Sequence, residues 1–88
     1  LAWTVNFEPR ALGELKKLDR GAQKRVVKFL QERISREGGA RQYGKILTGD
    51  KAGLWRYRIG DYRVVCRIDD DAQAILVLRV AHRKDIYR

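Results

Sequence analysis

Apolar residues open the chain at every second position: Trp3, Val5 and Phe7 are separated by Thr4 and Asn6, the period of a strand with one buried face. The period then lengthens. Pro9 stands where a first helical turn tolerates a missing N–H, and Ala11, Leu12, Leu15 and Leu18 follow at helical spacing. Asp19 is placed to cap a second helix whose buried stripe is Ala22, Val26, Val27, Leu30 and Ile34, while Lys24, Arg25, Lys28, Gln31 and Glu32 face water. Gly38-Gly39 ends that helix. The two helices make a hairpin with one apolar side, and that side requires a sheet to cover it. From Ala40 to Gly53 no period holds, and Gly44, Gly49 and Gly53 mark a long loop with a short ordered piece around Tyr43 to Leu47. Loops of that length in small domains more often serve a function or a partner than stand idle.

Strand period returns at Leu54 and runs to Arg67, broken at Gly60-Asp61, a pair suited to a two-residue hairpin turn. In that register Ile59 faces Tyr62, Tyr57 faces Val64 and Trp55 faces Cys66 on one side, which is core. The other side sets Arg58 against Arg63, Arg56 against Val65 and Leu54 against Arg67. Asp69-Asp70-Asp71 is an acidic turn, and Ile75 to Val80 is the last strand. Its purely apolar set, Leu76, Leu78 and Val80 together with His82, is expected to meet the helices. Ile75, Val77, Arg79, Ala81 and Arg83 then join the arginine side. The order β-α-α-β-β-β predicts an α+β fold, a twisted, mainly antiparallel four-stranded sheet with an N-terminal helical hairpin packed on one face. No repeat, low-complexity segment or internal boundary interrupts it, so residues 1–88 read as one domain.

Charge changes this picture. Twenty Lys and Arg against eleven Asp and Glu give a formal charge of +9, a large imbalance for 88 residues. Nucleic acid is the leading class of partner for such a chain, ahead of an acidic protein. Like charges opposed across a strand pair are destabilising, so Arg58 beside Arg63 points to an anionic ligand. Arg56, Arg58, Arg63, Arg67, Arg79 and Arg83 fall on one sheet face, with Tyr87 just beyond the last strand. Arginine clamps phosphate with two donors and stacks on exposed bases, and single-stranded RNA presents both. For Arg67 and Arg79 the competing role is an edge pairing with the Asp cluster or Glu37.

Other chemistry is thin. The lone Cys66 makes no internal disulfide and reads as a reduced core thiol of a cytoplasmic protein. The longest apolar run, Ala74 to Leu78, is far too short to span a membrane, and no secretory signal pattern opens the chain. The three Asp lack His or Glu at ligand spacing, which argues against a metal, and no cofactor motif is present. His82 has the most suitable intrinsic pKa for proton transfer, but its strand parity places it with the core set. Tyr87 ranks ahead of it if the surrounding arginines favour a phenolate.

Gly53 to Val65, GLWRYRIGDYRVV, followed by Val77 to Arg88, VLRVAHRKDIYR, resembles the RelE branch of the RelE/ParE toxin superfamily. The resemblance extends upstream through the first strand, the Pro9-Arg10-Ala11-Leu12 helix start, the second helix and Lys45-Ile46-Leu47. It implies a type II toxin held by an acidic, RelB-like antitoxin in a hetero-oligomer. Such a toxin cuts mRNA in the ribosomal A site without metal, by 2′-hydroxyl attack that leaves a 2′,3′-cyclic phosphate. It assigns the basic strand positions to Arg56 and Arg58, the hairpin arginine to Arg63, the C-terminal arginine to Arg83 and the terminal tyrosine to Tyr87. Some relatives carry lysine at the first two positions; arginine there stabilises charge rather than accepting protons. The resemblance also leaves open a ParE-like toxin directed at DNA gyrase. An RNA-binding module without chemistry is the third reading.

Overall fold

A computed structural model describes residues 2–86. Strand β1 (Thr4–Phe7) leads into helix α1 (Pro9–Lys17), with Pro9 in the first turn, and α2 (Arg20–Phe29) follows. Asp19 caps α2, its Oδ1 accepting the Ala22 N–H at 2.8 Å. Beyond Phe29 the helix widens into one π turn, Leu30–Ile34, in which the Ser35 N–H reaches the Leu30 carbonyl at 2.9 Å. Both Leu30 and Ile34 remain buried through that turn. Helix α2 therefore stops short of the two glycines, and Gly39 instead begins a short helix α3 (Gly39–Gln42).

The segment expected to be a loop contains a further strand, β2 (Lys45–Ile46), which pairs antiparallel with β3 (Trp55–Ile59). Strands β4 (Tyr62–Asp69) and β5 (Ala74–His82) complete a five-stranded sheet of order β1-β5-β4-β3-β2, one strand more than expected. Strand β1 runs parallel to β5, and the other neighbours are antiparallel. The central hairpin has the register read from the sequence, Arg58 opposite Arg63 and Tyr57 opposite Val64. Gly60 takes φ of +59° while Asp61 does not go positive, the pattern of a type II′ turn whose twist suits the strands.

Helices and sheet enclose Ala11, Leu15, Val26, Leu30, Ile34, Tyr57, Ile59, Val64, Cys66, Ile75, Val77 and Val80. The Tyr57 hydroxyl, buried with its ring, donates to the Ala40 carbonyl at 2.7 Å. Gly44 passes so close to that ring that a Cβ there would lie 2.6 Å from Tyr57 Cε1. Burial pushes both the Tyr57 phenol and the Cys66 thiol above their ordinary pKa ranges.

The last strand departs from simple alternation. Val65 pairs with Arg79 and Cys66 with Val77, leaving Leu78 as an extra residue in β5. This bulge reverses the parity on one side of it. Ile75 and Val77, expected on the arginine face, lie fully buried in the helix-side core, as Val80 does beyond the bulge. Leu78 instead lines the open side with Val65 and Leu54, and Leu76, opposite Arg67, shares that side. The open face consequently has an apolar middle, where Val65, Ala81 and Ile86 are buried together against Leu47 and Leu54.

Strand β1 accompanies β5 only as far as Val77, whose carbonyl accepts the Glu8 N–H at 2.9 Å. Beyond that point α1 covers the β5 edge. Glu14 Oε1 accepts the Val80 N–H at 2.9 Å, and both Glu14 oxygens accept Arg79 Nε, at 3.1 and 3.0 Å. At the opposite end of the strand Asp69 accepts the Ala72 N–H, while Asp70 holds Arg41 with two bonds of 2.9 and 2.8 Å. Among the described residues no helix is long and apolar enough to cross a membrane.

Glu14→Ala strips a half-buried guanidinium of its counter-charge and a strand edge of its acceptor. Urea denaturation should show a loss of about 3–5 kcal/mol, the range for breaking one partner of a desolvated pair; a loss under about 1 kcal/mol would mean that the carboxylate does not close this edge.

Candidate functional site

Four arginines gather on the open face at the hairpin end. Arg58 and Arg63 oppose each other across β3 and β4, and Arg56 stands two residues along β3, opposite Val65. Arg83 follows β5 directly, its N–H bonded to the Asp61 carbonyl at 2.8 Å, so the chain end is stitched to the hairpin turn. Among the described residues none of the four has a carboxylate within ion-pair distance.

Their settings differ. Arg63 is only 8% exposed, and its Nη1 donates to the carbonyls of Gly60 at 2.8 Å and Tyr62 at 2.9 Å. The hairpin turn thus holds its guanidinium in place. Burial, followed by the charges of Arg58, Arg56 and Arg83, draws the Arg63 pKa below its ordinary value, with Asp61 opposing them. The group nevertheless stays protonated, as arginine does in proteins. Arg58 and Arg83 are exposed. Arg56 is half-buried, and its Nε is enclosed without a hydrogen-bond acceptor among the described residues. Lys45 lies directly opposite Arg56, so a second like-charged pair adjoins the first.

The remaining expected residues are distributed around this cluster. Arg67 is exposed at the far end of β4, opposite Leu76. Arg79, expected as an RNA contact, is committed within the protein: besides Glu14 it binds the Ile86 carbonyl through Nη1 at 2.9 Å. His82 pairs with Tyr62 on the helix side of the sheet, their rings edge to face at 5.9 Å, and its Nδ1 accepts the Lys84 N–H at 3.3 Å. The structure therefore places His82 across the sheet from the arginines. Tyr87 lies outside the described residues.

Two features were missed from the sequence. Glu14 meets Arg79 across 65 positions, and nothing in the α1 pattern distinguishes it from other exposed acids. A cleft of about 330 Å³ at the free edge of β3 is lined by Phe29, Arg33, Tyr43, Gly44, Lys45, Arg56 and Arg58. Its residues come from three separate stretches whose proximity follows from the π turn and from β2, neither of which has a clear periodic signal.

Residues 5–87 match the family model described as the ParE toxin of type II toxin-antitoxin system, parDE. The chain is 40% identical over 88 residues to Toxin RelG of Mycobacterium tuberculosis, covering all of this chain and 99% of that protein. It is also similar to a chain in the crystal structure of the toxin-antitoxin complex RelBE2 from the same organism. That match has a TM-score of 0.88 and 36% identity over 97% of this chain and 95% of the other. A double mutant of E. coli toxin RelE in the free state shares the fold, with a TM-score of 0.76 at 22% identity over 96% of this chain and 86% of that one.

Because Arg58 faces Arg63 across the ladder, Arg58→Gln should leave stability unchanged or raise it by up to about 1 kcal/mol in urea denaturation. A loss larger than about 1 kcal/mol would show that Arg58 has a stabilising role in the folded protein.

Proposed function

The chain belongs to the ParE/RelE toxin family of type II toxin-antitoxin systems, and we propose that residues 1–88 act as one ribosome-dependent, metal-independent endoribonuclease domain. Its substrate is mRNA in the ribosomal A site, and its setting is the cytoplasm. The observation that carries this reading is the cluster of Arg56, Arg58, Arg63 and Arg83 on the open face, with no carboxylate partner among the described residues. The full-length likeness to RelG supports the RelE side of the family.

The reaction is an in-line displacement within the RNA. The 2′-oxygen attacks the adjacent phosphorus and the bond from phosphorus to the 5′-oxygen breaks, leaving a 2′,3′-cyclic phosphate and a 5′-hydroxyl. Negative charge on the phosphoryl oxygens is stabilised by guanidinium donors already in place, which is where such a site is strongest. Arg63 supplies the fixed charge, since the turn carbonyls orient it before RNA arrives. Arg58 and Arg83 close on the phosphate from either side, and Arg56 holds the strand beside it. Tyr87 positions the 2′-hydroxyl and takes its proton; the departing 5′-oxygen is protonated by water. His82 ranks second for the proton because it stands on the other side of the sheet. Arg67 contacts RNA farther along β4. Arg79 does so only by giving up Glu14, and its principal role is to hold the chain end.

A +9 chain with this face also calls for an acidic partner. The likeness to a chain of the RelBE2 toxin-antitoxin complex supports a RelB-like antitoxin and a hetero-oligomer. Charge pairs at its rim would make association weaken with salt.

Primer extension on mRNA from induced cells should show cuts within codons, while gyrase supercoiling assayed in parallel stays normal. Single-turnover cleavage on programmed ribosomes should fall on the order of 10²–10³-fold for Arg83→Ala. For Tyr87→Phe it should fall about 10²–10⁴-fold, with folding and antitoxin binding intact. Native-rate cleavage by Tyr87→Phe beside an inert, folded His82→Gln would transfer the proton role to His82. Absent cleavage with inhibited supercoiling would establish the gyrase-directed reading instead.

A further inference from the structure

The cleft at the free edge of β3 shares Arg56 and Arg58 with the chemistry above, while Phe29, Arg33, Tyr43, Gly44 and Lys45 take no part in it. Strand β2 pairs with β3 only through Lys45 and Ile46, so among the described residues no strand flanks β3 on that side beyond Arg56. The cleft wraps round this exposed edge. Arg56 and Arg58 bound it on the open face, while Phe29 and Tyr43, which pack against the helix-side core, bound it on the other.

Its lining is four cations, two aromatic rings and a glycine, with no carboxylate. The Arg33 guanidinium carbon stands 5.7 Å from the Phe29 ring centroid and 5.4 Å from that of Tyr43, so the group is propped against two rings while the residue remains exposed. The two rings brace each other edge to face at 6.2 Å. Lys45 is exposed on the edge strand, directly opposite Arg56. Arg56 contributes the enclosed Nε that has no acceptor among the described residues. A stacked guanidinium loses little further freedom when it binds, and together with a lysine it matches the charge and shape of a phosphodiester.

We propose that this cleft is a second RNA subsite, which holds the phosphate next to the scissile one and the nucleotide attached to it. The proposal rests on the nuclease reading for the direction of the strand, but not for the binding itself. RNA that lies across Arg58 and Arg63 leaves the open face at the β3 edge, where the cleft is the adjoining cationic surface. Arg33 and Lys45 grip that phosphate, and the neighbouring base stacks against the exposed side of Arg33 or Tyr43, an arrangement that tolerates any base. An acidic peptide strand could use the bare edge, but a guanidinium held over two aromatic rings beside further cations favours a nucleotide, which brings both a phosphate and a base to stack.

The test uses a short single-stranded oligonucleotide with every 2′-hydroxyl methylated, so that it binds without being cut, read by fluorescence anisotropy across a salt series. Arg33→Ala with Lys45→Ala should weaken binding on the order of tenfold and flatten the plot of log affinity against log salt by about 0.7, the loss of one phosphate contact. Circular dichroism and urea denaturation check that the variant folds. In single-turnover cleavage the same variant should need more ribosome for half-maximal rate, with the rate at saturation unchanged. Unchanged affinity and slope in a folded variant would overturn the proposal. So would loss of antitoxin binding with oligonucleotide binding intact, which would make the cleft a protein-docking edge. If the wild type binds the oligonucleotide through Arg33 and Lys45 yet cuts no mRNA, the subsite stands and the nuclease reading falls.

Discussion

The carboxylate of Glu14 closes a sheet that would otherwise be left open. Strand β5 lies between β1 and β4, but β1 is too short to accompany it beyond Val77, and the N–H of Val80 faces the gap. A buried donor left unpaired there is destabilising, and an uncovered strand edge invites pairing with another chain. A helix cannot supply acceptors from its backbone, since those are used internally, so a side chain on α1 has to do it. The resulting buried charge needs a counter-ion, and Arg79 provides one from the same stretch of β5. Because Arg79 also binds the Ile86 carbonyl, the one network joins the first helix, the last strand and the turn that follows it. Arg83 is carried on that turn, tied by its own N–H to the hairpin. The positions of the arginine cluster thus depend on a contact made outside it.

The hairpin was legible because its two signals agree: alternating side chains and a Gly60-Asp61 pair each specify the same register, and a slip of one residue would bury arginines and expose Tyr57. The helices were legible for a similar reason, with Asp19 and Pro9 marking starts that the apolar spacing also requires. The last strand was not. In Ala74 to Ala81 nearly every residue is apolar, so both faces satisfy the pattern and alternation cannot choose between them. The extra residue at Leu78 then reverses parity in mid-strand, which puts Val77 and Val80 on the same side although they are three apart. Strand β2 escaped notice because a two-residue strand is too short to have a period, and its partner is set by how α3 and Gly44 bring the chain against Tyr57.

At the candidate site, the sequence indicated which arginines share a face but not what each one is doing there. Arg63 and Arg79 are both largely hidden arginines of the open side, yet one is held by backbone carbonyls alone and the other also by a carboxylate. The difference is decisive for chemistry. A guanidinium bonded to neutral carbonyls keeps its full charge available to an incoming anion, whereas one bonded to Glu14 is already compensated. Strand parity cannot reveal this, because the compensating group lies on another element. The face read as the cationic one carries an apolar centre of Val65, Ala81 and Ile86, with charge concentrated at the hairpin end and the β3 edge.

That concentration sets stability against binding. Arg58 against Arg63 and Lys45 against Arg56 place four positive charges in two adjacent cross-strand pairs, an arrangement the folded state tolerates because a buried core lies behind it and the turn carbonyls hydrogen-bond Arg63. An anion arriving on this surface gains its own attraction and also relieves the repulsion among the cations, so part of the binding energy is stored beforehand in the fold. By linkage, whatever binds this face stabilises the protein, and the gain grows with the logarithm of its free concentration. RNA and an acidic protein would both draw on the same store. They differ in what they offer the rest of the face: only a protein brings apolar side chains for Leu54, Leu78 and Ile86. A protein partner can therefore retain its hold at salt concentrations that release RNA, because screening weakens charge pairs and leaves apolar burial in place.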